Sequence, residues 1–422
     1  MKQNTTYKQT ELGLIPEDWE VKKLGEILKE YSLGCNYENN SEESGIPLIK
    51  MGNIGRGKID LSKIEYLPKN VNYSKNDILK YNDILFNTRN TLDLVGKVSI
   101  WKNEALFALY NSNLLRLYFK EDFVENNDYV NFQFNSEITL ANLKKYATGT
   151  TSVAAIYTKD LLKLKFLLPP LPEQKKIADC LSTWDVAIEK QNALINALTQ
   201  RKKALMQQLL TGKKRLPGFS DEWKEVKLGS LGKTYNGLTG KTKEDFGEGK
   251  PFITYMNIFS NPKINISNFE YVKMGVNENQ NKAIYGDIFF TVSSETPNEV
   301  GMASVLLDEI NDLYLNSFCF GFRLNDFKNL LPEFSSYLFR NDLFRKDVYK
   351  LAQGSTRFNL SKLELMKIKI KLPSLSEQTA IAEILATADR ELQLQKEKLV
   401  QLQQQKKGLM QVLLTGKKRL LN

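Results

Sequence analysis

Histidine is absent from the 422-residue sequence. That removes the commonest general base and the commonest metal ligand, together with every Ser-His or Cys-His nucleophile arrangement. Cysteine is scarce: Cys35, Cys180 and Cys319 stand far apart with no paired spacing. Neither a disulfide framework nor a thiolate zinc site is expected, and the three read as incidental thiols. No run of about 18 uninterrupted apolar residues occurs, and the opening MKQNTTYKQTELG has no apolar signal core. The expectation is a cytoplasmic protein with no membrane partner and no metal of its own.

Other catalytic signatures are missing as well. Gly240-Lys241-Thr242 resembles the end of a phosphate loop, but the leading glycine that loop needs is replaced by Tyr235. Phe246 to Gly249 (FGEG) follows a charged KTKED stretch and not a buried strand, so it does not read as a nucleotide-binding turn. The adenine methyltransferase signature, Asn or Asp before Pro-Pro and an aromatic, is absent, because the one proline pair, Pro169-Pro170, lies between leucines. The Glu-Val-Lys triplets at Glu20 and Glu225 have no supporting metal carboxylate and read as exposed strand-edge charges. No catalytic residue and no cofactor bound by this chain are expected.

What is present begins with charge. The formal net charge is +10 with 26% charged residues, which favours a polyanionic partner. With 42% apolar residues the chain can fill more than one core. It also repeats itself. Trp19 answers Trp223 at an offset of 204, and Leu24-Gly25, Pro47, Asn53 and Tyr81 recur at Leu228-Gly229, Pro251, Asn257 and Tyr285. The register slips by one residue at Val95-Gly96 against Val300-Gly301, then returns. LPEQKKIADCLSTWD from Leu171 matches LSEQTAIAEILATAD from Leu375 at about half its positions, and both copies finish in LLTGKKRL.

Each repeat has a strand-rich α/β (α+β) part, with apolar or alternating runs such as IPLIKMGNI, DILFNTRN and LLKLKFLLPP, followed by a helical tail. In the first tail a four-three spacing runs through Ile177, Leu181, Trp184, Ile188, Gln191, Ile195, Leu198, Lys202, Leu205 and Leu209. The second repeats it through Ile381, Leu385, Ala388, Leu392, Gln395, Leu399, Leu402, Lys406, Leu409 and Leu413. This is a coiled-coil seam. Its polar interruptions, Gln191 with Gln395 and Lys202 with Lys406, recur at equivalent positions and suggest two helices paired in one alignment. Gly212 and Gly416 are placed as left-handed caps, giving helices of about 38 residues and, at about 1.5 Å per residue, about 57 Å. The boundaries read as 1–168 for a first globular domain, 169–212 for a helix, 213–372 for a second globular domain, 373–416 for a second helix, and 417–422 for a basic tail.

These features resemble the specificity subunit of Type I restriction-modification enzymes. The resemblance rests on Glu173-Gln174 and Glu377-Gln378 at the helix starts, the two LLTGKKRL ends, the paired domain starts PEDWEVKKLGEI and SDEWKEVKLGSL, and the stretches DILFNTRNTLDLVGK and DIFFTVSSETPNEVG. It implies two target-recognition domains joined by two long antiparallel helices in a pseudo-twofold arrangement, each domain reading half of a bipartite site in double-stranded DNA. It further implies two modification (methyltransferase) subunits and, in the full complex, restriction (translocase-nuclease) subunits, with S-adenosylmethionine, ATP and Mg used by those partners. Half-sites read from one face of B-DNA lie about 34 to 36 Å apart, a distance that a helix pair of this length can bridge. Two other classes compete: an enzyme with an unfamiliar site, and a coiled-coil scaffold that binds only protein.

Candidate DNA contacts are loop positions that correspond in the two halves, with Lys and Arg on phosphates and Asn, Arg, Ser and Thr on base edges. In the first domain they are Lys50, Asn53, Arg56, Thr88, Arg89, Asn90, Thr150 and Thr151. In the second they are Tyr255, Asn257, Ser293, Ser294, Ser355, Thr356 and Arg357. Asn53 and Asn257 are open to a second role, holding a turn by side-chain to backbone bonds. The basic clusters Lys213-Lys214-Arg215 and Lys417-Lys418-Arg419 follow helix ends, where positive charge also suits the helix dipole.

Overall fold

The computed structural model describes residues 6–37 and 45–420, so parts of the expected first domain (1–5 and 38–44) and the end of the basic tail (421–422) lie outside the described residues. The chain folds as two compact units: residues 1–192 with 397–422, and residues 193–396. The first unit is built from two stretches of chain and the second from one, and each takes in part of both long helices.

The first unit centres on a four-stranded antiparallel sheet in the order Leu28–Leu33, Leu114–Phe119, Ile84–Asn87, Val98–Ile100. All four residues of Ile84–Asn87 are buried. A strand covered on both faces needs a continuous apolar run, which is what DILF supplies. The second unit repeats the sheet as Gly232–Asn236, Cys319–Leu324, Ile288–Thr291, Ala303–Val305. A three-stranded sheet of Leu109–Tyr110, Ile46–Ile49 and Glu65–Leu67 has its counterpart in Tyr314–Leu315, Phe246–Ile253 and Glu270–Val272. A two-stranded sheet then ties the start of each globular part to its end: Glu20–Lys23 with Lys165–Leu168, and Lys224–Lys227 with Lys369–Leu372. The duplication read from the sequence is thus a duplication of strand order. The expected IPLIKMGNI strand ends at Ile49, and the expected DILFNTRN strand is two strands, Ile84–Asn87 and Arg89–Asn90, that belong to different sheets.

A buried carboxylate stands before each central strand. Asp83 Oδ2 meets Arg116 Nη2 at 2.8 Å, and burial pushes the Asp83 carboxyl above its ordinary value. Asp287 accepts from Arg323 Nε at 2.8 Å and from the Tyr235 hydroxyl at 2.7 Å. An interior carboxylate without such donors would cost several kcal/mol, so the guanidinium partner is a requirement of the site.

The long helices are Leu171–Leu209 and Leu375–Leu413, 39 residues each. Every seam position from Ile177 to Leu209 and from Ile381 to Leu413 is buried or half-buried, including Trp184, Ile188, Leu392 and Gln395, while most residues between them are exposed. Gln191 is itself buried. Gly212 and Gly416 adopt φ of +70° and +71°, and the Lys214 and Lys418 amides donate back to Gln208 O and Val412 O, closing each helix with a left-handed cap. The two helices run antiparallel within each unit. In the first, Leu413 packs in the core with Ile177 and Leu181, and Lys406 Nζ meets Asp185 Oδ2 at 2.7 Å. In the second, Leu209 packs with Ile381 and Leu385, and Lys202 pairs with Asp389. The lysine interruptions in the seam are therefore ion-paired, each with the aspartate that the other repeat supplies.

The repeated Glu-Gln at the helix starts also has a structural meaning. Glu173, 3% exposed, accepts from Trp19 Nε1 at 3.0 Å and from Arg419 Nε at 2.7 Å, and Arg419 reaches on to Asp18 at 2.8 Å. Glu377, 1% exposed, accepts from Arg215 Nε at 2.8 Å and Trp223 Nε1 at 3.2 Å. These hydrogen bonds raise both arginines above the ordinary guanidinium value. Gln174 Nε2 donates to Phe123 O and Pro169 O, and Gln378 Nε2 to Asn329 O and Pro373 O, fastening each helix start to the globular part of its own unit. The basic ends of the LLTGKKRL runs thus divide in role: the arginines are structural, while Lys213, Lys214, Lys417 and Lys418 are exposed.

Replacing Glu173 by alanine leaves the Trp19 indole N–H without its acceptor and Arg419 with Asp18 alone. The expected loss is about 3 kcal/mol in the unfolding of the first unit, read by urea titration, with the strands of the second unit keeping their hydrogen-exchange protection.

Candidate nucleic-acid interface

In each unit a small three-stranded sheet with one exposed turn gathers most of the candidate contacts. In the first unit, Arg89–Asn90 pairs with Ala154–Ala155, which pairs in turn with Thr148–Gly149. The turn between the last two carries Thr150, Thr151, Ser152 and Val153, all exposed, with Val153 at 68%. Gly149 has φ +127°, and a Cβ there would stand 2.3 Å from Val153 O, so only glycine fits the turn. Leu92 N donates to Thr151 O, tying the loop after Asn90 to this turn, and Arg56 Nη2 donates to Asp93 O of the same loop at 3.3 Å. The structure therefore brings Arg56, Arg89, Asn90, Thr150 and Thr151 into one cluster. Thr88 borders it, but its hydroxyl is committed to Asn113 O at 2.8 Å. Lys50 is held by Glu65 at 2.5 Å.

In the second unit the matching sheet is Ser293–Ser294, Phe358–Leu360 and Ala352–Gln353, with Ser355, Thr356 and Arg357 exposed in its turn. Gly354 repeats the left-handed glycine at φ +131°. Ser293 and Ser294 are buried strand positions and not loop positions, because the sheet continues past the central strand. Tyr255 likewise lies in a short helix, Tyr255–Ser260, capped by Thr254. Its hydroxyl donates to Ser293 O at 2.8 Å, its ring stacks on Phe259 with centroids 5.9 Å apart, and burial pushes its ionisation above the ordinary phenol value. A shallow concavity of about 340 Å³ opens here, lined by Tyr255, Phe259, Ser294, Glu299, Phe318 and Arg357. Phe318 is 60% exposed.

Asn53 and Asn257 do not belong to either surface. Asn53 is 3% exposed; it accepts from Lys50 N at 2.9 Å and donates to Asp60 O and Lys63 O. Asn257 is fully buried and does the same, accepting from Asn265 N at 2.9 Å and donating to Asn265 O and Asn268 O. Their recurrence comes from a loop that needs an internal amide, which corrects the expectation that they read bases. Sequence reasoning also passed over Phe259, Glu299 and Phe318; Phe259 and Glu299 are matched by Gly55 and Leu94 in the first half, and Phe318 by Asn113. The available signal was the aromatic and acidic content of the stretches around 255–259 and 293–299.

Among the described residues no cluster of His, Cys, Asp and Glu could hold a metal ion, and no helix is long and apolar enough to cross a membrane. The three cysteines are free. The two surfaces present guanidinium, amide, hydroxyl and aromatic groups, a set suited to phosphates and base edges.

Comparison with known proteins settles the family. The family model described as Type I restriction modification DNA specificity domain matches residues 16–200 and again 220–404. The chain belongs to this DNA-specificity family. The provisionally named MjaX type I restriction enzyme specificity subunit of Methanocaldococcus jannaschii is 29% identical over 97% of this chain and 96% of its own. The EcoKI specificity subunit of Escherichia coli is 23% identical over 87% and 82% respectively. Among solved structures, the S subunit of a type I restriction-modification system from M. genitalium has a TM-score of 0.57 at 16% identity, covering 98% of this chain and 97% of that one. A chain from a study of complex assembly and conformational transition of the type I R-M system has a TM-score of 0.59 at 17% identity, covering 96% and 99%. These two share the fold. As a specificity chain the protein is the DNA-recognition component of a restriction-modification system and not its catalyst.

Replacing Asn53 by alanine removes three side-chain hydrogen bonds from a turn, and replacing Asn257 removes four. Each variant is expected to lose about 2 to 3 kcal/mol of stability, measured by denaturant unfolding, while the methylated DNA motif it directs stays the same.

Proposed function

We propose that the chain reads a bipartite site in double-stranded DNA, the first unit recognising one half-site and the second unit the other. The carrying observation is that each unit presents its own exposed turn and small sheet, in a frame repeated strand for strand, while the charged and aromatic residues displayed there differ between the two. Shared scaffold with unlike contact residues is what two independent readers require. Lys213, Lys214, Lys417 and Lys418 and the +10 charge support attraction to the phosphate backbone, which positions a reader without carrying sequence information.

In this reading the chain assembles with two modification (methyltransferase) subunits, and with restriction (translocase-nuclease) subunits in the full complex. S-adenosylmethionine, ATP and Mg act in those partners, and the complex works on cytoplasmic DNA. The names of the relatives, each a type I restriction enzyme specificity subunit, support this assembly.

Exchanging residues 1–168 for the corresponding segment of another family member tests the independence of the readers. The methylated motif is expected to change in one half-site only, with the other half-site kept; a change in both half-sites contradicts the proposal.

A further inference from the structure

The second unit's concavity holds one cation, Arg357, and two carboxylates, Glu295 and Glu299, of which Glu299 is the one that neighbouring hydroxyls orient. Arg357 lies exposed at the end of the turn between Ala352–Gln353 and Phe358–Leu360, and its guanidinium has no ion-pair partner among the described residues. Glu299 is oriented by two hydroxyls: Ser294 Oγ donates to its Oε2 at 3.2 Å and Thr296 Oγ1 to the same oxygen at 2.8 Å. Neither hydroxyl engages Oε1. Tyr255, Phe259 and Phe318 form the aromatic part of the same concavity. A carboxylate on a phosphate-facing surface is repelled unless it finds a donor, and the donors in the major groove are the amino groups of cytosine and adenine. An arginine fork is best met by two adjacent acceptors, which guanine alone offers through O6 and N7. In a G·C pair those acceptors lie beside the cytosine amino group, so one base pair answers both side chains; an A·T pair gives the arginine no such pair of acceptors.

The first unit lacks this combination. At the position of Arg357 it has Val153, and at the position of Glu299 it has Leu94, 39% exposed. Of the two arginines in its contact cluster, Arg89 stands instead where the second unit has Ser293 and Arg56 where it has Ser260. The charged pair is therefore a property of one reading surface and not of the shared scaffold.

We propose that Arg357 and Glu299 together read one G·C base pair in the half-site served by the second unit, Arg357 donating to guanine O6 and N7 and Glu299 accepting from cytosine N4. This rests on the proposed DNA-reading function and assigns its residues. Ser294 and Thr296 position the carboxylate in advance.

The test uses the complex of this chain with its modification subunits, acting on a randomised duplex library whose methylated members are sequenced. Wild type is compared with R357A, R357K and E299L. The expected result is a G·C position in one half-site where R357A lowers discrimination by about 10-fold or more. R357K, which keeps the charge but not the fork, and E299L relax the same position. The other half-site keeps its stringency in every variant and reports that the complexes are folded. Two results overturn the assignment: R357A lowering methylation evenly with every position as stringent as before, the mark of a phosphate contact only, or a wild-type motif in which none of these variants relaxes a G·C position. A wild-type complex that methylates no bipartite motif at all would instead overturn the DNA-reading function itself.

Discussion

A buried carboxylate at the start of each long helix holds its unit together. Glu173 gathers Trp19 from the beginning of the chain and Arg419 from its end, and Glu377 gathers Trp223 and Arg215 in the same way. A charge this deep is stable only with its donors in place, so the globular part, the start of one helix and the segment after the end of the other must assemble together. That requirement explains why the first unit is completed by residues 397–422 and why the glycine caps at Gly212 and Gly416 are needed: the chain has to turn back within a few residues for the arginine to reach. The lysine pairs, Lys406 with Asp185 and Lys202 with Asp389, apply the same logic along the seam and set which residues of the antiparallel helices face each other.

With the scaffold specified twice by the same contacts, the two surfaces proposed to read DNA are free to differ. Each needs a left-handed glycine to make its turn and a buried asparagine to hold the neighbouring loop, and the displayed side chains otherwise make only local hydrogen bonds. Arg56, Arg89 and Val153 on one surface and Phe318, Glu299 and Arg357 on the other are compatible with one strand order because none of them fills the core.

The parts of this organisation legible in the sequence are those governed by periodicity and repetition. The four-three spacing located both long helices to within a few residues, since an apolar seam has one solution, and the glycine caps marked where they stop. Gln174 and Gln378 were visible as a repeated motif, though their backbone partners, Phe123 O and Asn329 O, come from parts of the fold that no local pattern indicates. The site was less legible. Asn53 and Asn257 looked like readers because they recur, yet a recurring polar residue is equally the signature of an internal amide in a repeated loop. Ser293 and Ser294 looked like loop residues because the sequence does not mark where one sheet ends and a second begins. Arg357 was visible as an exposed cation, but Glu299 gains meaning only from the Ser294 and Thr296 hydroxyls that orient it. Exposed contact residues have no period, and their grouping depends on strand pairing across more than 50 residues of chain, as between Ser294 and Phe358.

The most direct measurement is single-molecule sequencing of adenine methylation in two otherwise identical cells that express the modification subunits, one with this chain and one without. The account predicts a bipartite motif, two unlike half-sites with a fixed spacer, methylated only when the chain is present. A genome with no chain-dependent motif, both proteins being soluble and expressed, or a single uninterrupted motif, would contradict it.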